Sequence, residues 1–276
     1  MSAKQAAFFI SAHPDDWQLF MMPIAFHAMR DSFNKAVFIH ITSGDAIGNI
    51  TENASSRALA NAREEGVLRT LRFMLSLKQP SVIFERASVL LNGKNLELHA
   101  AHNVVAYFLR LPDGNPEGTG CTMQQGQSLR YLRHGETDNL SATDRTAVYA
   151  DWKDLVNTIH AIVNLESESA NPIRLHSTDP SLEHNPNDHS DHYLCGNLAA
   201  DVFDLKKGAE LYFYAGYDVT HRPVNLVLPD LLLQVALWGV TNSAIVDAGL
   251  PTAFDETHNQ WLGKSYVRNV IKNEDS

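Results

Sequence analysis

Basic clusters, long apolar runs and paired cysteines are all scarce in this chain of 276 residues, and each shortage removes a class of function. Lys and Arg number 22 against 32 Asp and Glu, a formal net charge of -10, and the basic residues form no run. That balance argues against a surface for nucleic-acid backbones or for anionic lipid, so no nucleic acid and no membrane partner is expected. No apolar run approaches the roughly 20 residues that span a bilayer. Residues 1–12 lack the basic start and sustained apolar core of a secretory signal, so a cytoplasmic location is expected. The cysteines, Cys121 and Cys195, have neither zinc-finger nor redox spacing and read as ordinary thiols of a reducing compartment. A Gly-x-Ser-x-Gly elbow and a phosphate-binding glycine signature are also missing, which disfavours a serine hydrolase and a nucleotide-binding loop. Without repeats, low-complexity tracts or a linker, residues 1–276 are expected to form one domain, its part beyond about residue 216 being the least legible. A neutral or cationic small molecule suits this acidic chain best.

What is present is an alternation of apolar runs and amphipathic stretches. Ala6–Ile10 reads as a buried strand, 17–29 as an amphipathic helix, Lys35–Thr42 as a second strand, and 53–77 as a helix with Leu59, Val67, Leu68, Leu71 and Leu75 on one face. Ser88–Leu91 and Lys94–Leu98 flank Asn92-Gly93, a dipeptide suited to a tight hairpin turn. Val104–Leu111 reads as a strand running into Pro112-Asp113-Gly114, and 115–139 as a long polar loop. A helix over 144–168, a strand at Ile173–Ser177, a loop over 178–187, a helix to about Asp204, a strand at Glu210–Ala215 and a helix over 230–240 complete the pattern. The order predicts an α/β fold, Rossmann-like and doubly wound, with a mainly parallel sheet flanked by helices and an antiparallel extension. The last segment, with His258 and Trp261, has no legible placement.

Two clusters resist a purely structural explanation. The first strand ends in His13-Pro14-Asp15-Asp16, a turn where open α/β sheets place their ligands. Two adjacent carboxylates held in a buried turn repel one another and lose hydration, and a divalent cation relieves both costs. His13 and Asp16 offer nitrogen and oxygen, which suits zinc, and Asp15 remains free as a base. An Asp capping the following helix beside a hydrogen-bonded His would explain the turn as well. The second cluster is Asp188-His189-Ser190-Asp191-His192. Its histidines share a face if the helix has already begun, with one on a metal and the other toward substrate; Asp188 and Asp191 can orient them or simply favour the helix start. His99 and His102, His176, and His184 are expected to be core, surface or loop histidines, with His184 as a reserve ligand. His258 and Trp261 offer a stacking surface for a sugar or a packed tail.

Taken together, Ala12-His13-Pro14-Asp15-Asp16, Thr42-Ser43-Gly44-Asp45, Arg63-Glu64-Glu65 and His189-Ser190-Asp191-His192 resemble the PIG-L/LmbE-like de-N-acetylases over roughly residues 5–215. The resemblance implies zinc-dependent removal of an acyl group from an amino sugar or related amine. It implies His13, Asp16 and His192 as zinc ligands, Asp15 as general base, and His189 as the residue that stabilises the oxyanion or assists the leaving amine. Asp191 is expected to support the ligands, and Arg63, Asp113 and Trp17 to contact substrate. Trp17 stands where the family often has Glu. Ferrous iron or cobalt also suits two histidines and an aspartate. The expected partner is a small N-acylated molecule; an N-acyl substrate that is not a sugar and a noncatalytic carbohydrate- or metal-binding protein are the alternatives.

Overall fold

The computed structural model describes residues 3–46, 56–79 and 81–272. The first strand, β1 (Gln5–Ser11), is buried along nearly its whole length, as a continuous apolar run covered on both faces should be. It pairs in parallel with β2 (Asn34–Thr42), Phe9 standing opposite Phe38. Between them lie two helices, α1 (Asp16–Phe20) and α2 (Met22–Arg30), where one was expected. The break falls at Met21, whose backbone is not helical, because Pro23 in the first turn of α2 has no N–H to continue the ladder and crowds the preceding turn.

The long helix α3 (Ser56–Ser76) follows; the expected start at 53–55 lies outside the described residues. Strands β3 (Glu85–Leu91) and β4 (Lys94–Ala101) form the expected hairpin, with Asn92 at φ 45 and Gly93 at φ 72, the left-handed pair that such a turn requires. Strand β5 (Val104–Leu111) joins β4 antiparallel and β2 parallel. The expected loop carries a short helix, α4 (Leu129–His134), with Ser128 as its cap. After the small pair β6 (Leu140–Ser141) and β7 (Val148–Tyr149), α5 (Trp152–Ser167) begins well after Asp144. Asp151 is its cap, accepting from Asp154 N at 2.7 Å, whereas Asp144 accepts from Thr146 and Arg110 outside the helix.

Strand β8 (Ile173–Thr178), helix α6 (Ser190–Leu205) and strand β9 (Ala209–Tyr214) complete the parallel part. Helix α7 (Leu228–Asp247) runs a further two turns beyond its expected end, and after the single turn α8 (Glu256–Asn259) the chain returns as β10 (Val267–Lys272), antiparallel to β9. Among the described residues, eight strands form one sheet in the order β10-β9-β8-β1-β2-β5-β4-β3. It is the expected mixed α/β sheet, mainly parallel, antiparallel at both edges, and flanked by helices. The chain leaves β1 toward β2 on one side and later returns through β8 on the other, so the carboxyl ends of β1 and β8 flank the switch point where ligands enter such sheets. Two apolar clusters cover the faces. One joins Phe8, Ile10 and Ile39 to Ile159 of α5 and Leu198 of α6, and the other joins Phe9 and Phe38 to Trp17, Leu71 of α3 and Trp238 of α7. Among the described residues, no helix is long and apolar enough to cross a membrane.

Two histidines lie inside the sheet layers. His176 stacks between Phe9 and Tyr212 at 4.8 Å from each, and His40 stacks on Phe108 at 4.7 Å. Burial drives His40 down to about 4 against the pull of the Tyr107 carbonyl, and burial with the nearby Arg174 charge drives His176 to about 3. Both folded values lie below the ordinary value of about 6.5, so the unfolded chain binds the extra protons. Their contribution to stability is present above that value and declines as pH falls toward about 4 and about 3. Urea titrations between pH 7 and pH 4.5 should show stability dropping with a slope of up to about 1.4 kcal/mol per pH unit for each histidine. A His176→Phe chain should lose its share of that slope; an unchanged slope would remove His176 as a cause.

Candidate functional site

The turn after β1 and the start of α6 meet at the switch point. Ala12 O accepts from both Thr42 N (2.8 Å) and Thr42 Oγ1 (2.9 Å), which ties the end of β1 to the end of β2 and sends residues 13–15 across the sheet edge. His13 donates its N–H to Asp16 Oδ2 at 2.7 Å, closing a small ring that leaves Asp16 Oδ1 turned to the interior. His192, fully buried in the first turn of α6, brings its Nε2 to 3.1 Å from that oxygen and to 3.1 Å from His13 Nδ1. His13 Nδ1 and Asp16 Oδ1 are 3.4 Å apart.

The other ring nitrogen of His192 settles what these distances mean. His192 Nδ1 lies 2.8 Å from Asp188 Oδ1, a carboxylate that also accepts from His189 N and Tyr217 N and from the Asn185 amide. With the Nδ1 proton committed to Asp188, a neutral His192 presents a lone pair at Nε2 to the carboxylate of Asp16. A buried contact between two acceptors is unfavourable, so the cluster calls for a positive charge, supplied by a second proton or by a cation. Burial works against charge on His192, yet Asp16 and Asp188 outweigh it and hold its pKa at about 10. Burial likewise opposes charge on His13, but Asp16 and Asp113 raise its pKa well above the ordinary value.

The metal fit is geometric. Ligand atoms about 2.0–2.1 Å from a tetrahedral zinc stand roughly 3.3–3.4 Å from one another. His13, Asp16 and His192 offer one nitrogen or oxygen each at mutual separations of 3.1, 3.1 and 3.4 Å. A second buried group, His13 with Asp113, His189 and Asp191, is looser, with contacts of 3.5, 3.7 and 3.6 Å and a longer one of 4.0 Å. In it, His13 Nε2 and Asp191 Oδ1 have no hydrogen-bond partner among the described residues. The first group fits a small tetrahedral cation better.

His189 is the cap of α6 and not part of its first turn. Its Nδ1 accepts from Asp191 N at 3.1 Å, so a neutral ring carries its proton on Nε2, which lies 3.6 Å from Asp113 Oδ1. Burial and the neighbouring charge of His13 push its pKa down to about 4, which keeps the ring neutral near pH 7. Asp113 sits just past β5, fixed by its N–H to Asp45 and by Asn115 N on its own Oδ1; burial opposes its charge, but His13 and His189 hold it below the usual carboxylate range. Asp15 lies outside both groups and faces Arg63, Nη1 to Oδ1 3.3 Å. The left-handed Gly44 makes room for that guanidinium: a Cβ there would stand 2.4 Å from Arg63 Nη1.

The structure thus brings together His13, Asp16, His192, His189, Asp113 and Asp191, with Asp15 and Arg63 alongside. Trp17 is elsewhere: it is fully buried and packed on Phe38 at 4.6 Å, so its ring belongs to the core and is not offered to substrate. Asp191 accepts from Gly114 N at 2.8 Å and stands 3.7 Å from His13 Nε2, while His192 is oriented by Asp188. Gly216 permits that orientation, since a Cβ there would lie 2.2 Å from Asp188 Oδ2. Tyr217 sets its ring 4.9 Å from His192 and stacks on Trp261 at 4.4 Å. That stack covers one face of Trp261, which is buried, and His258 lies on Trp238. His99 pairs with Glu97 and His184 with Ser181, both outside the two groups. On the Asp45 side, a polar cleft of about 880 Å³ is lined by Arg57, Glu64, Arg110, Gln124 and Asp144.

No family model matches the chain, and no curated protein does either. Solved structures do. The N,N'-diacetylchitobiose deacetylase of Pyrococcus horikoshii aligns with 94% of this chain and 74% of its own, at 18% identity and a TM-score of 0.52. A deacetylase of the teicoplanin biosynthesis pathway aligns over 93% and 90%, at 14% identity and a TM-score of 0.50. The 4-carboxy-2-hydroxymuconate hydratase of Pseudomonas putida aligns over 93% and 82%, at 12% identity and a TM-score of 0.47. At these identities the likeness is one of architecture, and the chain is similar in fold to two deacetylases.

Proposed function

We propose that the protein is a metal-dependent hydrolase of the PIG-L/LmbE-like kind, removing an N-acyl group from an amino sugar or an amino-sugar-containing metabolite. The observation that carries this reading is the trio of ligand atoms at 3.1, 3.1 and 3.4 Å, with the carboxylate of Asp15 outside it and paired with Arg63. His13, Asp16 and His192 would hold the metal, zinc by donor set and spacing. Bound there, zinc would bring the pKa of a coordinated water toward about 7 and polarise the amide carbonyl.

The chain's own residues supply the proton traffic. Asp15, outside the ligand set, accepts the proton of the attacking water, and Arg63 holds the carboxylate in position without protonating it. Neutral His189 carries its proton on Nε2 and donates a hydrogen bond to the oxygen on which charge develops. Asp113, ionised and anchored to Asp45, is placed to accept from a substrate hydroxyl or amide. The amine leaves with the proton that Asp15 took from the water, because a neutral His189 has only the Nε2 proton that it holds on the oxyanion. An amino sugar is favoured by the polar cleft beyond Asp45 and by the N,N'-diacetylchitobiose for which the similarly folded deacetylase is named.

The test combines metal analysis of the purified protein with an amine-release assay over N-acylated amino sugars and non-sugar amides. About one bound zinc per chain and amine release from amino-sugar members are expected. Stoichiometric metal without release from any member would favour a binding protein, and release confined to non-sugar amides would reassign the substrate.

A further inference from the structure

We infer that the apolar pocket beside Asp15 receives the acyl group of the substrate, and that this group is a medium-chain or aryl acyl rather than acetyl. The inference rests on the hydrolase reading above. The pocket measures about 270 Å³ and has Pro14, Asp15 and Arg63 at one end. One wall is a single stripe of α7, in which Trp238, Thr241, Asn242 and Ile245 follow one another at helical spacing. Leu59, one turn before Arg63 on α3, faces it, Ala253 closes the side, and Thr252 and Asp255 stand at the exposed rim.

The polar groups that α7 brings to these buried walls are used, apart from one ring N–H. Thr241 Oγ1 lies 2.7 Å from Thr70 Oγ1 and also bonds to Gln18. Asn242 donates to Trp238 O at 2.9 Å and accepts from Ala253 N at 2.7 Å, so both ends of its amide are bound to backbone. Trp238 Nε1 is buried without a partner among the described residues, a single donor. Sugar hydroxyls placed against these inner walls, past the rim, would lose their hydrogen bonds to water and find almost none in return. An acyl tail gives up nothing polar, and its carbonyl belongs at the end where Asp15 and Arg63 stand. The amine portion has the polar cleft of about 880 Å³ on the other side, with Arg57, Gln124 and Asp144 among its walls.

Size selects the kind of acyl group. An apolar cavity of about 150 Å³ holds benzene. The 270 Å³ pocket would be left mostly empty by an acetyl methyl and is ample for hexanoyl or phenylacetyl. Each methylene buried on the way to the transition state should raise kcat/KM about fourfold.

The experiment measures kcat/KM for N-acetyl-, N-butanoyl-, N-hexanoyl- and N-phenylacetyl-glucosamine, together with calorimetric binding of acetate and hexanoate, which needs no turnover. Rates are expected to climb from acetyl to hexanoyl, and hexanoate to bind more tightly than acetate. Ala253→Phe, which narrows the pocket, should reverse the hexanoyl-to-acetyl ratio; Ala253→Leu is the milder substitute if the melting temperature of the first variant falls. Hydrolysis of the acetyl compound alone, or hexanoate binding no tighter than acetate, overturns the acyl assignment while leaving the hydrolase in place. Tighter hexanoate binding that Ala253→Phe weakens, with no amine released from any compound, keeps an acyl-binding pocket and sinks the hydrolase.

Discussion

Asp15→Asn should reduce turnover by about 10²–10⁴-fold, the usual worth of a positioned general base, while the protein keeps its metal. The two halves of that expectation come from different observations. Asp15 lies outside the cluster of His13, Asp16 and His192, whose atoms already make a compact trio, so an amide at position 15 leaves every ligand atom in place. An amide matches the carboxylate in shape but has no affinity for a proton near neutral pH, so the attacking water is left without an acceptor. The pair with Arg63, at 3.3 Å, also weakens, and this adds a change in KM if the guanidinium then swings toward substrate. Elemental analysis of the variant beside single-turnover and steady-state rates separates these effects. Loss of metal would make Asp15 a ligand, and near wild-type turnover would remove it as the base.

Which parts of this protein were legible in its sequence follows from how local their causes are. The runs of β1 and β2 and the Asn92-Gly93 turn signal themselves within a few residues, and the structure has them where they were expected. Pro23 was also a local signal for the break at Met21, outweighed by the apolar periodicity on both sides of it. The start of α5 was expected at 144 and lies at Trp152, where Asp151 caps it, while Arg110 collects Asp144 together with Glu64 and Glu97. That partner comes from another strand. Edge strand β10 depends on β9 and on no pattern of its own.

The site divides along the same line. Spacing suggested His189 and His192 as partners on one helical face, but the helix starts at Ser190, so His189 is the cap and reaches the site from outside the helix. That phase also decides that Asp188, not Asp191, takes the Nδ1 proton of His192. Nothing near position 17 shows that Trp17 is turned into the core, nor does anything near position 241 show that α7 lies against α3 beside Asp15. These are facts of tertiary packing between segments far apart in the chain.

Asp16→Asn makes the same chemical change one residue further on, and it should have the opposite effect on the metal. Asp16 Oδ1 is 3.1 Å from His192 Nε2 and 3.4 Å from His13 Nδ1, and its other oxygen is fixed by His13 N at 2.7 Å. In the asparagine variant one rotamer turns an N–H₂ toward the two imidazoles, and the other keeps a neutral oxygen there, so either way the only anionic ligand of the trio is gone. Removing a partner that merely orients a ligand costs about 10–100-fold in metal affinity, which is the loss expected for Asp188→Asn through His192. Loss of the charged ligand itself should exceed that, leaving Asp16→Asn without metal after dialysis against a chelator that the parent protein withstands, and without activity. Burial adds to the asymmetry: the charge on Asp16 is sustained against desolvation by His192 and His13, which hold its pKa well below the ordinary range, so the site keeps this carboxylate ionised and ready for a cation. Competition titrations with a chromogenic chelator on the parent, Asp188→Asn and Asp16→Asn proteins should give affinities in that descending order. Asp16→Asn binding zinc as tightly as the parent would shift the metal to the looser group of Asp113, His189 and Asp191 around the far nitrogen of His13.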